Sequence, residues 1–221
     1  MSRHHLSPFE CPKCKTEYEI KVWESLNAEL SPDAKIQLLE DKLFTSKCPN
    51  CSADNTVIYP ILYHDMKNKT MIQLVFNTEG EESFRNTINK IKNNPNLPDI
   101  AVDSDYSYRV VFNANDFMEK IYILENNLDD RVIEIVKLVI KTTYVEKNPE
   151  INDSIMLFDP VTPYRLAIFI NGKGTYSLEL DMALYDKLAE AYKSKITEKS
   201  VDIMCINQNW AISVLDYEDE V

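Results

Sequence analysis

Cys11-Pro12-Lys13-Cys14 and Cys48-Pro49-Asn50-Cys51 are two copies of one turn, Cys-Pro-x-Cys, and they hold four of the five cysteines in a chain of 221 residues. Two Cys-x-x-Cys pairs in one region read first as a tetrahedral four-thiolate metal site with Cys11, Cys14, Cys48 and Cys51 as ligands. Zinc is the expected ion, one per chain and structural; iron is the alternative for the same donors. Each turn brings two sulfurs to one ion. Pro12 and Pro49 fix φ just after the first cysteine and so reduce the entropy lost on forming the turn. Four thiolates around one divalent ion leave a local charge of minus two, which Lys13, Lys15 and Lys47 are placed to offset. The position after the second cysteine favours positive φ and commonly holds glycine; here it is Lys15 and Ser52. Asn50, inside the second turn, tolerates left-handed geometry.

Residues 15–47 separate the pairs, a gap of 33, where a compact zinc ribbon has about 15–20. The excess reads as a strand over 17–23 followed by a helix. Tyr18, Ile20 and Val22 share a strand face. Ser31-Pro32 supplies a cap and first-turn proline, and Ala34, Leu38 and Leu39 form the helix stripe. The N-terminal region is therefore a zinc ribbon with a helical insertion.

Two other cysteine chemistries compete with zinc. A disulfide framework needs an oxidising compartment, and Met1 to Pro8 carry no hydrophobic segment of a secretory leader, so the expected location is the cytoplasm. A thioredoxin-like redox pair calls for one Cys-x-x-Cys between strand and helix, not two equivalent ones. Catalytic zinc is disfavoured because four sulfurs close the coordination sphere.

The two knuckles, the run Val22-Trp23-Glu24-Ser25-Leu26-Asn27 and the segment Tyr63-His64-Asp65-Met66 resemble the CpXC-domain proteins of bacteria and archaea. The resemblance covers about the first half of the chain. It implies metal binding by Cys11, Cys14, Cys48 and Cys51, and it implies no reaction; the bacterial cytoplasm is the plain reading of the chain's composition and of Met1 to Pro8. The missing glycines after Cys14 and Cys51 depart from the family pattern.

Charge narrows the partner class. The chain carries 24 basic and 36 acidic residues, a net of −12. By segment, residues 1–80 hold 9 basic and 11 acidic, 81–150 hold 9 and 13, and 151–221 hold 6 and 12. A ribbon that grips phosphates needs a basic face, and none is visible, so nucleic acid is disfavoured and a protein partner favoured. No apolar run reaches the roughly 18 residues of a membrane span. Oligomeric state is not legible.

Beyond the ribbon the pattern is α+β: mixed helices, then an antiparallel sheet. A strand is expected over 55–64 with Pro60 inside it, then one over 70–76 forming a hairpin with it. A helix follows over 81–92, a loop over 93–105 and a strand over 106–112. Asn113 or Asn115 caps the next helix, which carries Phe117, Ile121 and Leu124. The strongest helix runs over 128–144, with Val132, Ile135, Val136, Val139 and Ile140 opposite Arg131, Glu134, Lys137 and Lys141. Lys147-Asn148-Pro149 ends it, dividing a CpXC-like module with helical extension, 1–149, from a C-terminal α/β segment, 150–221. There, strands are expected over 155–158 and 165–170, a turn at Asn171-Gly172, a strand over 176–180, a helix from Asp181 to about Lys195 and two final strands within 203–215.

Catalytic apparatus is sparse. Three glycines, Gly80, Gly172 and Gly174, rule out a G-x-G-x-x-G fingerprint and a P-loop. His4 and His5 read as solvated. His64 is the one histidine in a patterned segment, but adjacent strand residues point to opposite faces, so Asp65 is a poor partner for it; the plain reading is a strand-end histidine bonded to backbone. Cys205 reads as a small residue in a buried strand. The expected role is a non-catalytic, metal-stabilised binding or adaptor protein. The alternatives are an enzyme with its site in the C-terminal half or near His64, and a thiol-based redox switch.

Overall fold

The structure is a computed structural model and describes residues 2–92, 106–145, 148–151, 154–159, 165–170, 174–201 and 203–215. The loop expected over 93–105, the Asn171-Gly172 turn and the acidic tail after residue 215 lie outside them. The class is α+β, as the pattern implied. Packing groups the chain into two compact units, Met1–Phe117 and Met118–Val221.

The first unit is built on a five-stranded mixed sheet of order β1-β2-β5-β6-β7. Strand β1 (Arg3–Glu10) pairs antiparallel with β2 (Glu17–Asn27) from His4↔Trp23 to Glu10↔Glu17, with an irregularity at Arg3/His4. No sequence pattern announces a strand at β1. Its side chains are mostly exposed and Pro8 interrupts it, so no period-2 pattern marks it; the ladder to β2 and the turn joining the two strands create it. Helix α1 (Pro32–Leu39) buries Ala34 and Leu38 as expected, but the Ser31 side chain does not cap it. Ser31 donates its hydroxyl to Ser2 Oγ instead, at 2.8 Å.

The strand expected over 55–64 is two strands. After β3 (Thr45–Lys47), β4 (Asp54–Thr56) pairs with it in a separate small sheet. Chain direction then changes, and β5 (Ile61–Asp65) starts after Pro60, parallel to β2. Proline has no N–H to give a ladder, so the break falls there. Strand β6 (Thr70–Leu74) returns antiparallel to β5, the hairpin expected, and lies parallel to β7 (Ser107–Val111). Helix α2 (Thr78–Lys92) buries Phe84 and Ile88. Asn77 Oδ1 accepts the Gly80 N–H at 2.9 Å, which moves its start ahead of residue 81.

Helix α3 (Ala114–Glu125) begins where Asn113 Oδ1 accepts the Asp116 N–H at 2.9 Å. In the second unit it leads to α4 (Asp130–Val145). A three-stranded antiparallel sheet follows, β8 (Ile155–Asp159), β9 (Arg165–Ile170) and β10 (Gly174–Glu179), in the order β10-β9-β8. Asp181 caps α5 (Met182–Ala191) through the Ala183 and Leu184 N–H groups; the chain breaks at Tyr192 and continues as α6 (Lys193–Lys199). The core joins α4 to both flanks: Ile133, Ile135 and Val136 cluster with Phe158, Leu166, Leu188 and Trp210. So α4 packs with the elements that follow it.

Two expectations in this unit are corrected. The final segment is not a pair of strands but helix α7 (Gln208–Leu215). Asn207, read as a turn residue, places its Oδ1 3.1 Å from the Trp210 N–H as a helix cap. Trp210, Ala211 and Val214 then form a buried helical stripe. Cys205 consequently lies in a half-buried stretch without strand pairing. Secondly, the face opposite the apolar stripe, where Glu134 and Lys137 stand, is itself largely covered. Glu134 is buried, together with Glu119 and Lys120 from α3.

These charges satisfy one another. Lys137 Nζ lies 2.8 Å from Glu134 Oε1 and 3.0 Å from Glu119 Oε2; Lys120 Nζ lies 3.3 Å from Glu134 Oε1 and 3.2 Å from Asp130 Oδ2. Glu119 also accepts the Phe158 N–H at 2.6 Å, tying α3 to strand β8. Burial pushes the Glu119 carboxyl up, whereas for Glu134 the two lysines outweigh burial and pull it down. Lys137→Met strands two buried carboxylates against one remaining lysine. It is expected to destabilise the fold by about 3–5 kcal/mol in urea unfolding; a loss under about 1 kcal/mol, the size of a surface pair, would contradict the network.

Candidate metal centre

Each cysteine pair is the loop of a hairpin. Residues 11–16 join β1 to β2 beyond the Glu10↔Glu17 pair, and residues 48–53 join β3 to β4 beyond Lys47↔Asp54. The loops repeat the same backbone bonds. The Cys11 N–H donates to Thr16 O at 3.0 Å and Lys15 N–H to Cys11 O at 2.9 Å; the Cys48 N–H donates to Ala53 O at 2.9 Å and Ser52 N–H to Cys48 O at 3.0 Å. Lys15 and Ser52 have φ of 61° and 57°. These are the two positions where glycine is commonly expected, so the loops keep the knuckle geometry and accept the cost of a side chain in the left-handed region. Asn50 is not among the positive-φ residues.

The four sulfurs converge. Cys11 Sγ lies 3.7 Å from Cys51 Sγ and Cys14 Sγ 3.6 Å from Cys48 Sγ, and all four lie within 4.8 Å of one another. A tetrahedral ion with metal–sulfur bonds of about 2.3 Å separates its sulfurs by about 3.8 Å. The donor set therefore fits such an ion without moving the backbone. Cys11 and Cys48 are buried; Cys14 and Cys51 are half-buried.

Surrounding polar groups prepare the sulfurs. Asn55 Nδ2 approaches Cys11 Sγ at 3.9 Å and donates to the Tyr18 hydroxyl at 3.1 Å. Thr16 Oγ1 sits 3.3 Å from Cys14 Sγ and accepts from Asn50 Nδ2 at 3.0 Å, linking the two knuckles. The Thr16 contact brings the Cys14 thiol down to about 5, and the Cys14 N–H lowers that of Cys11. At Cys51 the Ala53 N–H acts to lower the pKa, but burial and the three neighbouring sulfurs outweigh it and raise it to about 11. Four sulfurs at this spacing thus resist becoming thiolates together unless a cation joins them. Two of the three lysines expected to offset the charge have other partners: Lys15 meets Glu10 at 3.3 Å and Lys47 meets Asp54 at 3.8 Å. Thr16 and Asn55 had no sequence signal, since single polar residues near a knuckle are ordinary.

The family model described as CpXC protein matches residues 9–137, more than half of the chain. The chain belongs to the CpXC family. The match covers both knuckles, the insertion with α1, the sheet strands that follow and the first half of α4. Searches of curated proteins and of solved structures each returned no match.

The other candidates stand apart from the CpXC knuckles. His4 and His5 are exposed on β1; the His4 ring packs on Trp23 and His5 Nδ1 lies 3.2 Å from Glu24. His64 is near the end of β5, but its ring nitrogens meet side chains rather than backbone. Asn27 Oδ1 accepts the Glu29 and Leu30 N–H groups, so its amide nitrogen faces His64 Nδ1 at 3.4 Å. Nδ1 is then the acceptor, and Nε2 carries the proton toward Tyr106 Oη at 2.9 Å. Both nitrogens serve to join β2, β5 and the start of β7. Asp65 points elsewhere, accepting from Asn68 N at 2.7 Å and Asn68 Nδ2 at 3.1 Å.

Two outcomes follow for this unit. Ser52→Gly removes a side chain from the left-handed region and is expected to stabilise the metal-loaded chain by about 0.5–1 kcal/mol, while Ser52→Val lowers its melting temperature; a lower melting temperature for the glycine variant would contradict the geometry. Burial, outweighing the carboxylates of Glu29 and Asp65, holds His64 below its ordinary pKa. The unfolded chain therefore takes up a proton at about pH 6.5 that the folded chain refuses, and stability falls as pH drops from there toward the folded value. His64→Gln should flatten that slope in urea unfolding between neutral and mildly acid pH; parallel slopes for the two chains would refute the assignment.

Proposed function

We propose that this CpXC protein is a zinc-stabilised binding or adaptor protein of the bacterial cytoplasm that works through protein–protein contacts. The observation that carries the reading is the closed set of four converging sulfurs, two buried and two half-buried, at tetrahedral spacing. Four protein ligands fill a zinc ion's coordination and leave no position for water or substrate, which is the pattern of structural rather than catalytic sites. Zinc is favoured over other ions because an all-thiolate tetrahedron suits it and no redox partner is required. Zinc-bound thiolates of this kind persist where the surroundings are reducing, which supports the cytoplasm. A net charge of −12 supports a protein partner over nucleic acid. Among the described residues no helix is long and apolar enough to cross a membrane.

The test has two arms. Elemental analysis of the purified chain should find one zinc per chain, and chelation should abolish the cooperative melting of the ribbon. Crosslinking in host lysate should then join the zinc-loaded chain to a protein partner in stoichiometric yield, and the Cys48→Ser chain should lose it. A metal-free chain with an unchanged melting curve contradicts the zinc reading; equal capture by both chains, or none by either, contradicts the adaptor reading.

A further inference from the structure

We infer that the thiolate centre is also an oxidation-sensitive latch, and that its disulfides form across the two knuckles, Cys51 with Cys11 and Cys14 with Cys48. The inference rests on the zinc reading above for the resting state.

Exposure and facing select the pairing. In each knuckle the second cysteine is half-buried and the first is buried: Cys14 and Cys51 against Cys11 and Cys48. An oxidant from solvent therefore reaches Cys14 or Cys51 first. All four sulfurs lie within 4.8 Å of one another, and the hydrogen-bonded sulfur contacts cross the knuckles: Cys14 with the buried Cys48 at 3.6 Å and Cys51 with the buried Cys11 at 3.7 Å. Closing either pair to a disulfide length of about 2.0 Å needs sulfur movement of less than 2 Å in all, within reach of side-chain rotation.

The oxidant class is a hydroperoxide. A Cys14 thiolate attacks the peroxide oxygen, giving a sulfenic acid and hydroxide; the Cys48 thiolate then attacks that sulfur, forming the S–S bond and releasing a second hydroxide. The same sequence at Cys51 and Cys11 uses a second peroxide. Four thiolates lose four electrons, two peroxides become four hydroxides, and the divalent ion leaves with no anionic donors to hold it. The pairing matters for what remains. Cross-knuckle bonds span 34 and 40 residues and keep the β1–β2 hairpin tied to the β3–β4 hairpin after the ion has gone. Bonds within each knuckle would let the two hairpins part. Oxidation would then be a reversible exchange of one crosslink for another.

The test treats the zinc-loaded full chain with hydrogen peroxide, follows zinc release with a chromophoric chelator and maps disulfides by digestion without reductant and mass spectrometry. Two peroxides per chain should release the whole zinc content and give Cys11–Cys51 and Cys14–Cys48 linkages, with Cys205 still a thiol; dithiothreitol and zinc should restore the starting state. Linkages within a knuckle, linkages Cys11–Cys48 with Cys14–Cys51, or conversion of the cysteines to sulfinic acid would each overturn the inference. The double variants Cys14→Ser/Cys48→Ser and Cys14→Ser/Cys51→Ser both weaken metal binding, so they are compared with each other: the first, keeping Cys11 and Cys51, should close its disulfide faster than the second, and equal rates would count against the pairing. A purified chain without zinc would sink the zinc reading, whereas the linkages formed by that chain would still decide the pairing.

Discussion

Two pairs of sulfurs, separated from each other by 34 to 40 residues, must meet within a few ångströms, and the first unit is arranged around that demand. A single knuckle brings only two donors and holds an ion weakly. Two knuckles share one ion only when their hairpins are held side by side. The β1–β2 ladder carries the first knuckle at its tip, and the short β3–β4 ladder carries the second. Between them, α1 and the chain from Leu43 to Tyr59 set the spacing: Phe44 packs edge-on against Tyr59, and the Tyr59 hydroxyl donates to Leu43 O. The length of the insertion is thus a consequence of where the second hairpin has to stand.

The relation between ion and sheet runs in both directions. Strand β1 has little apolar surface of its own, and its neighbour β2 is the one that carries Ile20, Trp23 and Leu26 into the core. An ion at the loop between them would fix the far end of a ribbon that burial alone holds at one end only. Conversely, the strained loop positions Lys15 and Ser52 persist because the surrounding ladder hydrogen bonds and the sulfur set determine them together. The second unit uses a different device: a buried charge network around Lys137 and Glu119, in which each group has a partner, joins two helices to a sheet edge without metal.

What the sequence disclosed and what it hid divide along physical lines. The knuckles are legible because cysteine at fixed spacing has few other uses, and their positive-φ positions, Lys15 and Ser52, are legible because turn geometry is local. The β5–β6 hairpin and helices α1, α4 and α5 were legible from periodicity and caps. Strand β1 was not, because an exposed edge strand has no amphipathic pattern to read. Helix α7 was misread because Asn207 serves equally as turn residue and helix cap, and Trp210, Ala211 and Val214 fit a strand-like apolar run until burial distinguishes them. Glu134 and Lys137 stand opposite the apolar stripe in the sequence pattern, and only the arrival of Glu119 and Lys120 from α3 makes their burial tolerable. Partners so distant in sequence leave no mark on a local pattern.

The composition of the first coordination shell is measured most directly by X-ray absorption at the zinc edge of the full chain loaded with zinc. The prediction is four sulfur scatterers at about 2.3 Å and no nitrogen or oxygen neighbour. A shell in which nitrogen or oxygen replaces one or more sulfurs would contradict the closed four-thiolate centre, and with it the non-catalytic reading built upon it.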